Sequence, residues 1–345
     1  MGIDRKQRIT HRDVARRAKV STAVVSYVVN NGPRSTAPET RERVLRAIEE
    51  LGYHPNAFAR SLRSQRTHTI GFIAYDVFSL DLFVSPYSAG ILTGLMAELK
   101  DHEHYLLTYP QLVSEDLAPL DRLLRSGRLD GIVVRLIQDP PATDALMETI
   151  AAAGVPCVCI ERPCSDRFGF KAVTYDDVVG AQVATRYLIE QGHRRIAHLR
   201  GDLHYATAQA RLSGYHQALQ DAGLPVDEQL IQGDTWDTAD AASGTRQLLA
   251  LADPPTAIFA ASDNLALAGL RVLREQGYRV PQDVAVIGFD DIQEAAQLVP
   301  PLTTVRIPLM ELGRRAGDLV LRLNAGEDEV ASETLPVELI RRGTA

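Results

Sequence analysis

The chain has 345 residues, 45% of them hydrophobic, and its 37 Lys and Arg stand against 44 Asp and Glu for a formal net charge of −7. That length exceeds one small core and suits two or three packed domains. No apolar run approaches the roughly 18 residues of a membrane span, and Met1 to Lys6 lead into no apolar stretch of the secretory kind. The three cysteines, Cys157, Cys159 and Cys164, are an odd number set close together. This argues against a disulfide framework and for a reducing, cytoplasmic compartment.

The net charge conceals a division. Residues 1–66 carry 14 Lys and Arg against 6 Asp and Glu, a net of +8, while the remainder carries 23 against 38, a net of −15. A basic head on an acidic body points to a polyanionic partner for the head alone.

In chain order, Thr10-His11-Arg12-Asp13 has the Thr-x-x-acid form of a capped helix start. The helix that follows turns Val14, Ala15 and Ala18 inward. Ala18-Lys19-Val20-Ser21 is a tight break, and Ser21 is a suitable cap for a second helix. Val24, Val25 and Val28 share the inner face of that helix, leaving Thr22, Ala23, Ser26 and Tyr27 outward. Two short helices so joined predict a helix-turn-helix whose second member enters the DNA major groove. Asn30-Asn31-Gly32-Pro33 ends it with turn chemistry. A third helix runs from Pro38 to a stop at Gly52, with Val44, Ile48 and Leu51 on its core side. Residues 8–55 therefore read as a DNA-binding domain. His54-Pro55-Asn56 breaks the chain, and residues 56–68 read as a linker with a short helix that forms on DNA, since so short a helix is marginal alone.

From Thr69 the pattern changes. Apolar strands alternate with amphipathic helices: strands at 70–75, 106–108, 131–134, 157–160, 172–175, 196–199, 257–261 and 284–288, with helical segments between them. This predicts parallel sheets covered on both faces, with length for two α/β lobes over 69–345. Ligands of such folds bind beyond the carboxyl ends of the strands. The polar residues there are Asp76, Asp176, Ser262-Asp263-Asn264 and Asp290-Asp291. Other signals carry less. Cys157 and Cys159 fall in an apolar strand and lack a fourth ligand for a metal, and His102-Glu103-His104 lies in a polar connection. No phosphate loop, dinucleotide fingerprint or nucleophile elbow appears. Neither a metal, a cofactor nor a catalytic residue is expected.

The ordered set Asp13-Val14-Ala15-Arg16-Arg17-Ala18, Val28-Val29-Asn30, Glu50-Leu51-Gly52-Tyr53-His54-Pro55-Asn56, Ala59-Arg60-Ser61-Leu62, Arg211-Leu212-Ser213-Gly214-Tyr215, Ile287-Gly288-Phe289-Asp290-Asp291 and Pro301-Leu302-Thr303-Thr304-Val305 resembles the lactose-repressor (LacI/GalR) family of bacterial transcription regulators. The resemblance spans nearly the whole chain. It implies an N-terminal helix-turn-helix, a hinge helix and a two-lobed periplasmic-binding-protein-like α/β body that binds a small molecule, a sugar or sugar phosphate. It implies a homodimer, or a tetramer, on double-stranded operator DNA in the cytoplasm, DNA-bound at the nucleoid, with no membrane association and no enzymatic activity.

By that resemblance Thr22, Ala23 and Tyr27 contact bases, with Ser26 and Asn30 on the same helix. Leu62 is the hinge leucine that wedges into the minor groove, flanked by Ala59 and Arg63. Tyr27 stands where the family often has Arg, and it cannot make the bidentate guanine contact of an arginine. Lys19 stands where the family usually has Gly, at a cost of roughly 1 kcal/mol if its backbone is left-handed. In the body, Arg211 and Asp290 match positions that bind effector oxygens, Asp176 matches a polar cleft position, and Trp236 lies near an aromatic that packs on the ligand. Asp76, Tyr87, Ser88 and Ser262 complete the expected effector site. An insertion, Val77 to Val84, sits at the cleft mouth. Pro300-Pro301-Leu302-Thr303-Thr304 is expected to cross between lobes, and the helix 309–323 to pack on the body or a second subunit. The alternatives are a sugar-binding or sugar-processing protein without a regulatory role, and the same regulator answering to a purine, a nucleotide or a protein corepressor.

Overall fold

The computed structural model describes residues 9–29, 36–53, 66–76, 86–112, 115–138, 143–327 and 329–345, with the backbone alone at 75, 76 and 112. The chain divides into two compact units, Met1–Thr67 and His68–Ala345.

The first unit is three helices, α1 (His11–Ala18), α2 (Thr22–Val29) and α3 (Pro38–Leu51). The Thr10 amide and hydroxyl donate to Asp13 at 3.0 and 2.7 Å, and these bonds hold the Asp13 carboxyl below the ordinary range. Val14, Ala15, Ala18, Val25, Val28, Val44, Ala47 and Tyr53 close a small core. Ala47, one turn beyond Val44, is buried where Ile48 and Leu51 are half-buried. Lys19 ends α1 in the left-handed region at φ +53°. Its amide satisfies carbonyls of the last turn of α1, which is what a glycine in that position normally does.

The second unit has two six-stranded sheets. The first lobe holds β1 (Thr69–Asp76), β2 (Tyr105–Leu112), β3 (Gly131–Leu136), β4 (Cys157–Glu161) and β5 (Lys171–Tyr175). The second holds β6 (Ile196–Leu199), β7 (Ile231–Gln232), β8 (Ala257–Ala260), β9 (Ala285–Asp290) and β10 (Thr303–Arg306). The last two strands, β11 (Glu333–Leu335) and β12 (Glu338–Ile340), are divided between the sheets, giving orders β11-β5-β4-β3-β1-β2 and β12-β10-β9-β8-β6-β7. All described pairings are parallel except β10 with β12.

Successive residues of one strand point to opposite faces, and both faces are covered. Ile132 and Val134 join Cys157 and Cys159 on one side of the first sheet. Val133, Val158 and Ile160 join Ile91, Leu95 and Leu312 on the other. The second lobe repeats this, with Ile258 and Ala260 facing one way and Phe259 and Ile287 the other. The apolar strand runs of the sequence thus have their cause in two-sided burial.

The chain passes between lobes three times. It leaves the first sheet after Tyr175 and enters α7 (Asp177–Glu190), which packs on the second lobe's α8 (Ala206–Asp221). It returns after β10 through Ile307 and Pro308 into α12 (Leu309–Asn324), which packs on α4 (Pro86–Asp101) of the first lobe. Last, it crosses from β11 to β12. The expected crossing at Pro300–Thr304 is therefore corrected. Thr303 and Thr304 are paired in register with Ile287 and Gly288 inside the second sheet, and the crossing comes after Arg306. The α4–α12 contact is close: a Cβ at Gly94 would fall on the Met310 carbonyl, and one at Gly313 on that of Ile91. The remaining helices are α5 (Ala118–Leu124), α6 (Asp144–Ala153), α9 (Thr238–Leu249), α10 (Asp263–Glu275) and α11 (Gln293–Gln297).

Among the described residues no helix is long and apolar enough to cross a membrane. No group of three His, Cys, Asp or Glu there could hold a metal. The three cysteines are free and buried together. Hydrogen bonding from Cys157, together with burial, pushes the Cys159 thiol up, and Cys164 is raised in the same way by Cys159.

Candidate functional site

The head presents one face of α2. Val25 and Val28 are buried, and Val24 is half-buried behind them. This leaves Thr22 and Ala23 exposed and Ser26 and Tyr27 half-exposed. The Ser21 hydroxyl accepts from the Val24 amide at 3.3 Å and fixes where the helix begins. The four outward residues are short or flat, and a helix so decorated fits the major groove closely. Asn30, Ala59, Leu62 and Arg63 lie outside the described residues.

The body has a cleft between its lobes, lined by Tyr87, Arg135, Ile137 and Glu161 from the first and Tyr205, Thr207, Arg211, Trp236, Ser262, Asn264 and Asp290 from the second. Counted out to its open mouth it encloses about 680 Å³, within the range of small-molecule sites. Two bonds join the lobes beside it. The Ala206 amide donates to the Ile137 carbonyl at 3.1 Å, and the Gln138 side-chain amide donates to the His204 carbonyl at 3.3 Å.

Arg211 organises the second-lobe half. Its Nε donates to Asp177 at 2.8 Å, and its Nη1 to the Ala261 carbonyl at 2.5 Å and to Asp290 at 3.3 Å. Its guanidinium lies 3.9 Å from the centre of the Phe289 ring. Burial alone would lower its pKa, but Asp177 and Asp290 overcome this and raise it. Asp177 also accepts from Arg162 at 2.7 Å, so a chain of alternating charge runs Arg162–Asp177–Arg211–Asp290. Burial pushes the Asp290 carboxyl up to about 7, with Asp177 adding to the rise and Arg211 opposing it. Asp263 behind it is raised by burial and by the charge of Asp290. It accepts from Thr304 at 2.5 Å and from the Ile292 amide at 2.9 Å.

The first-lobe half is an Arg135–Glu161 pair, bonded at 2.6 Å. Burial raises the Glu161 carboxyl against the opposing pull of Arg135. Tyr87 and Tyr175 share a hydroxyl–hydroxyl bond beside it, and burial lifts both phenols. Glu161 has φ +69°, Asp290 φ +114° and Asp291 φ +57°. A non-glycine residue held there costs about 1–3 kcal/mol. Such strain at the ends of β4 and β9 is the usual mark of a working site.

Of the expected effector residues, the structure brings Tyr87, Arg211, Trp236, Ser262 and Asp290 to one cleft. Ser88 is buried behind Arg135, 3.5 Å from its Nη1. Asp176 does not line the cleft: it caps α7, accepting from the Val179 amide at 2.9 Å, and the neighbouring Asp177 turns inward to Arg211. The Asp76 side chain lies outside the described residues. Sequence reasoning passed over Arg135 and Glu161, although a charged residue at the end of each apolar strand is a signal of the strand-end kind. Trp236 is held over Gly201, where any Cβ would strike its ring, and edge-on to Tyr205 with centroids 6.0 Å apart. The site therefore offers a cationic fork, two carboxyls, several hydroxyls and an aromatic platform. Such a set can hold a compact ligand rich in hydroxyl groups.

Comparison with known proteins adds the following. Residues 10–56 match the model of bacterial regulatory proteins of the lacI family, and residues 185–345 that of a periplasmic binding protein-like domain. The chain is 38% identical over 343 residues to the HTH-type transcriptional regulator CelR of Thermobifida fusca, covering 98% of this chain and 97% of that protein. Among solved structures it is similar to a CelR–cellobiose complex, at 34% identity and TM-score 0.72 over 98% of this chain and 100% of that one. It is also similar to the lac repressor dimer bound to operator and the anti-inducer ONPF, at 27% identity and TM-score 0.84 over 98% and 99%.

Proposed function

This chain belongs to the lacI family of bacterial regulatory proteins, and on that premise we propose a repressor whose hold on its operator is set by a sugar in the interlobe cleft. One observation carries the effector class. The paired Arg211 and Asp290 line the same strained, hydroxyl-bearing cleft as the sole tryptophan of the chain. A carboxyl and a guanidinium bind vicinal hydroxyls, and an aromatic ring packs on the apolar face of a pyranose. That the related CelR has been seen with cellobiose favours the same class.

In this reading residues 8–55 read DNA, residues 56–68 form the hinge, and residues 69–345 bind effector and pair the subunits. Thr22, Ala23, Ser26, Tyr27 and Asn30 face base edges, and Leu62, flanked by Ala59 and Arg63, wedges the minor groove. Two heads on one homodimer require a site with two-fold symmetry. The protein acts in the cytoplasm, at the nucleoid when DNA-bound, and releases its sugar unchanged. That its relatives are transcription regulators supports the absence of turnover. Control needs two body states that the sugar distinguishes, because a ligand bound equally by both shifts nothing. The bond from Ala206 to Ile137 belongs to one lobe arrangement, and the three crossings are the places where the lobes can pivot.

The test is selection of bound DNA from a random duplex pool with the full-length protein, followed by anisotropy of the recovered site with and without cellobiose. A recovered palindrome whose affinity changes at least tenfold with the sugar is expected. Failure to enrich any sequence, or cleavage of the sugar on incubation, would sink the reading.

A further inference from the structure

We propose that the cleft selects an uncharged sugar and rejects the phosphorylated form of the same sugar. The inference rests on the reading of the body as a sugar receptor and goes beyond it by fixing the charge of the ligand.

The first ground is the state of the cations. Among the described lining residues only Arg135 and Arg211 are cationic, and each is matched there by a carboxyl group, Glu161 and Asp290. Neither arginine awaits an anion. Arg135 is held by Glu161 at 2.6 Å. Arg211, 3% exposed, is held by Asp177 at 2.8 Å and Asp290 at 3.3 Å. A phosphate placed on either fork would meet a carboxylate already there. Buried charge without a partner is costly, and like charge in the same site rejects a ligand.

The second ground is independent. Phosphate is most readily held on the unpaired amides at a helix N-terminus. Two helices, α8 and α10, begin at this cleft and α7 begins beside Arg211, and the protein itself engages the start of each. The first-lobe carbonyl of Ile137 takes the Ala206 amide of α8. Asp176 takes the Val179 amide of α7, so that helix opens on two adjacent carboxylates. The Ser262 hydroxyl takes the Leu265 amide of α10 at 3.3 Å, and Asp263 stands in its first turn. The positive helix ends are thus turned to internal carboxylates, hydroxyls and a carbonyl.

What remains for a ligand is neutral. Thr207, Ser262 and Asn264 donate or accept as a hydroxyl requires, and Trp236 supplies the platform.

Trp236, the sole tryptophan, lines the cleft and gives the assay an intrinsic signal. The full-length protein is titrated with a panel of neutral mono- and disaccharides, cellobiose included, and with the 6-phosphates of the same sugars, by fluorescence and calorimetry. Inosine monophosphate is the third arm. The expected result is that a neutral sugar binds and its phosphate binds at least a hundredfold more weakly. Glu161→Gln removes the carboxylate charge held against Arg135, so the affinity ratio of phosphorylated to neutral sugar should rise at least tenfold, with unchanged circular dichroism. A phosphorylated sugar that binds within threefold of its neutral partner overturns the charge inference and leaves the sugar reading intact. Binding of inosine monophosphate with no sugar binding at all, or no binding across the panel, removes the sugar reading and this inference with it.

Discussion

His198 lies in the middle of β6, fully buried, with its ring stacked between Tyr215 at 5.1 Å and Phe259 at 4.8 Å. Its Nδ1 bonds the Phe259 carbonyl at 2.9 Å and must therefore carry the proton. Its Nε2 has no partner among the described residues. Burial pushes its pKa down to about 3, against about 6.5 in an unfolded chain. Between these values the unfolded chain binds a proton that the folded chain does not. Stability is then lost as pH falls from about 6.5 and goes on falling to about 3. Integrating one such group gives a loss of about 2 kcal/mol between pH 7 and pH 5. His198→Phe keeps the stacking and removes the titration. Overpacking by the larger ring costs about 1–3 kcal/mol, but that cost does not vary with pH. Urea unfolding of both proteins at pH 7 and pH 5, followed by Trp236 emission in the same lobe, gives the difference directly. Other titrating groups cancel in that difference. The variant should gain about 2 kcal/mol relative to wild type on going to pH 5. A relative change below about 0.5 kcal/mol would mean that His198 titrates as an exposed imidazole does, and the burial argument would be wrong.

Lys19→Gly should relieve the left-handed backbone at φ +53° by about 1 kcal/mol and raise the melting of the head by several degrees; a lower melting temperature would contradict this. Gly313→Ala sets a Cβ against the backbone of Ile91, whereas Gly317→Ala meets side-chain atoms alone, of Glu98 at 3.0 Å and Leu95 at 3.3 Å, which can give by a few tenths of an ångström. The first should cost about 1–3 kcal/mol or more and the second well under 1 in thermal melts, so equal costs would refute the α4–α12 packing argument. Gly201→Ala should tilt the Trp236 ring, weaken sugar binding about tenfold and leave sugar-free operator binding unchanged, a loss of roughly 1.4 kcal/mol. An unaltered fluorescence titration would take Trp236 out of the ligand's way.

The strands were legible because burial on both faces forces continuous apolar runs, as in Cys157–Ile160, which the structure extends only to Glu161. α9 carries a weak signal in the sequence because its core face is made of small residues: Ala241, Ala242, Gly244 and Thr245 are buried there and give little apolar periodicity. In the site, Asp290 stands out by its place beyond a strand end and Arg211 by resemblance, but the use of Arg211 as a double ion pair is a fact of tertiary structure. Asp176 and Asp177 are chemically identical neighbours, and only the start of α7 decides which one caps and which one turns to Arg211. Arg135 and Glu161 stand 26 residues apart and meet because β3 and β4 pair in parallel register. The crossing after Arg306 was misplaced because two prolines before a pair of threonines read as a connector, whereas both threonines carry strand hydrogen bonds and lie buried.

The division of β11 and β12 between sheets bears on how the chain acquires its fold during synthesis. The first lobe's sheet is edged by residues 333–335 and covered by α12, although its other strands end at Tyr175. A ribosome that has released residue 175 has therefore exposed a sheet with one face covered by α4 but still lacking α12. Domains generally fold as units while the chain emerges, but α12 is complete only about 150 residues after Tyr175, at ~5–20 residues per second. For those seconds Val133, Val158 and Ile160, which α12 will adjoin, are open to chaperones or to aggregation. The second lobe lies within that interval except for β12 and the residues after it, of which Thr344 bonds Val286 and Thr303, so most of it is able to collapse first and receive the incomplete lobe afterwards. A stop or frameshift before residue 309 would thus leave one face of the earlier lobe only partly covered, even though every described residue lining the ligand cleft had been made.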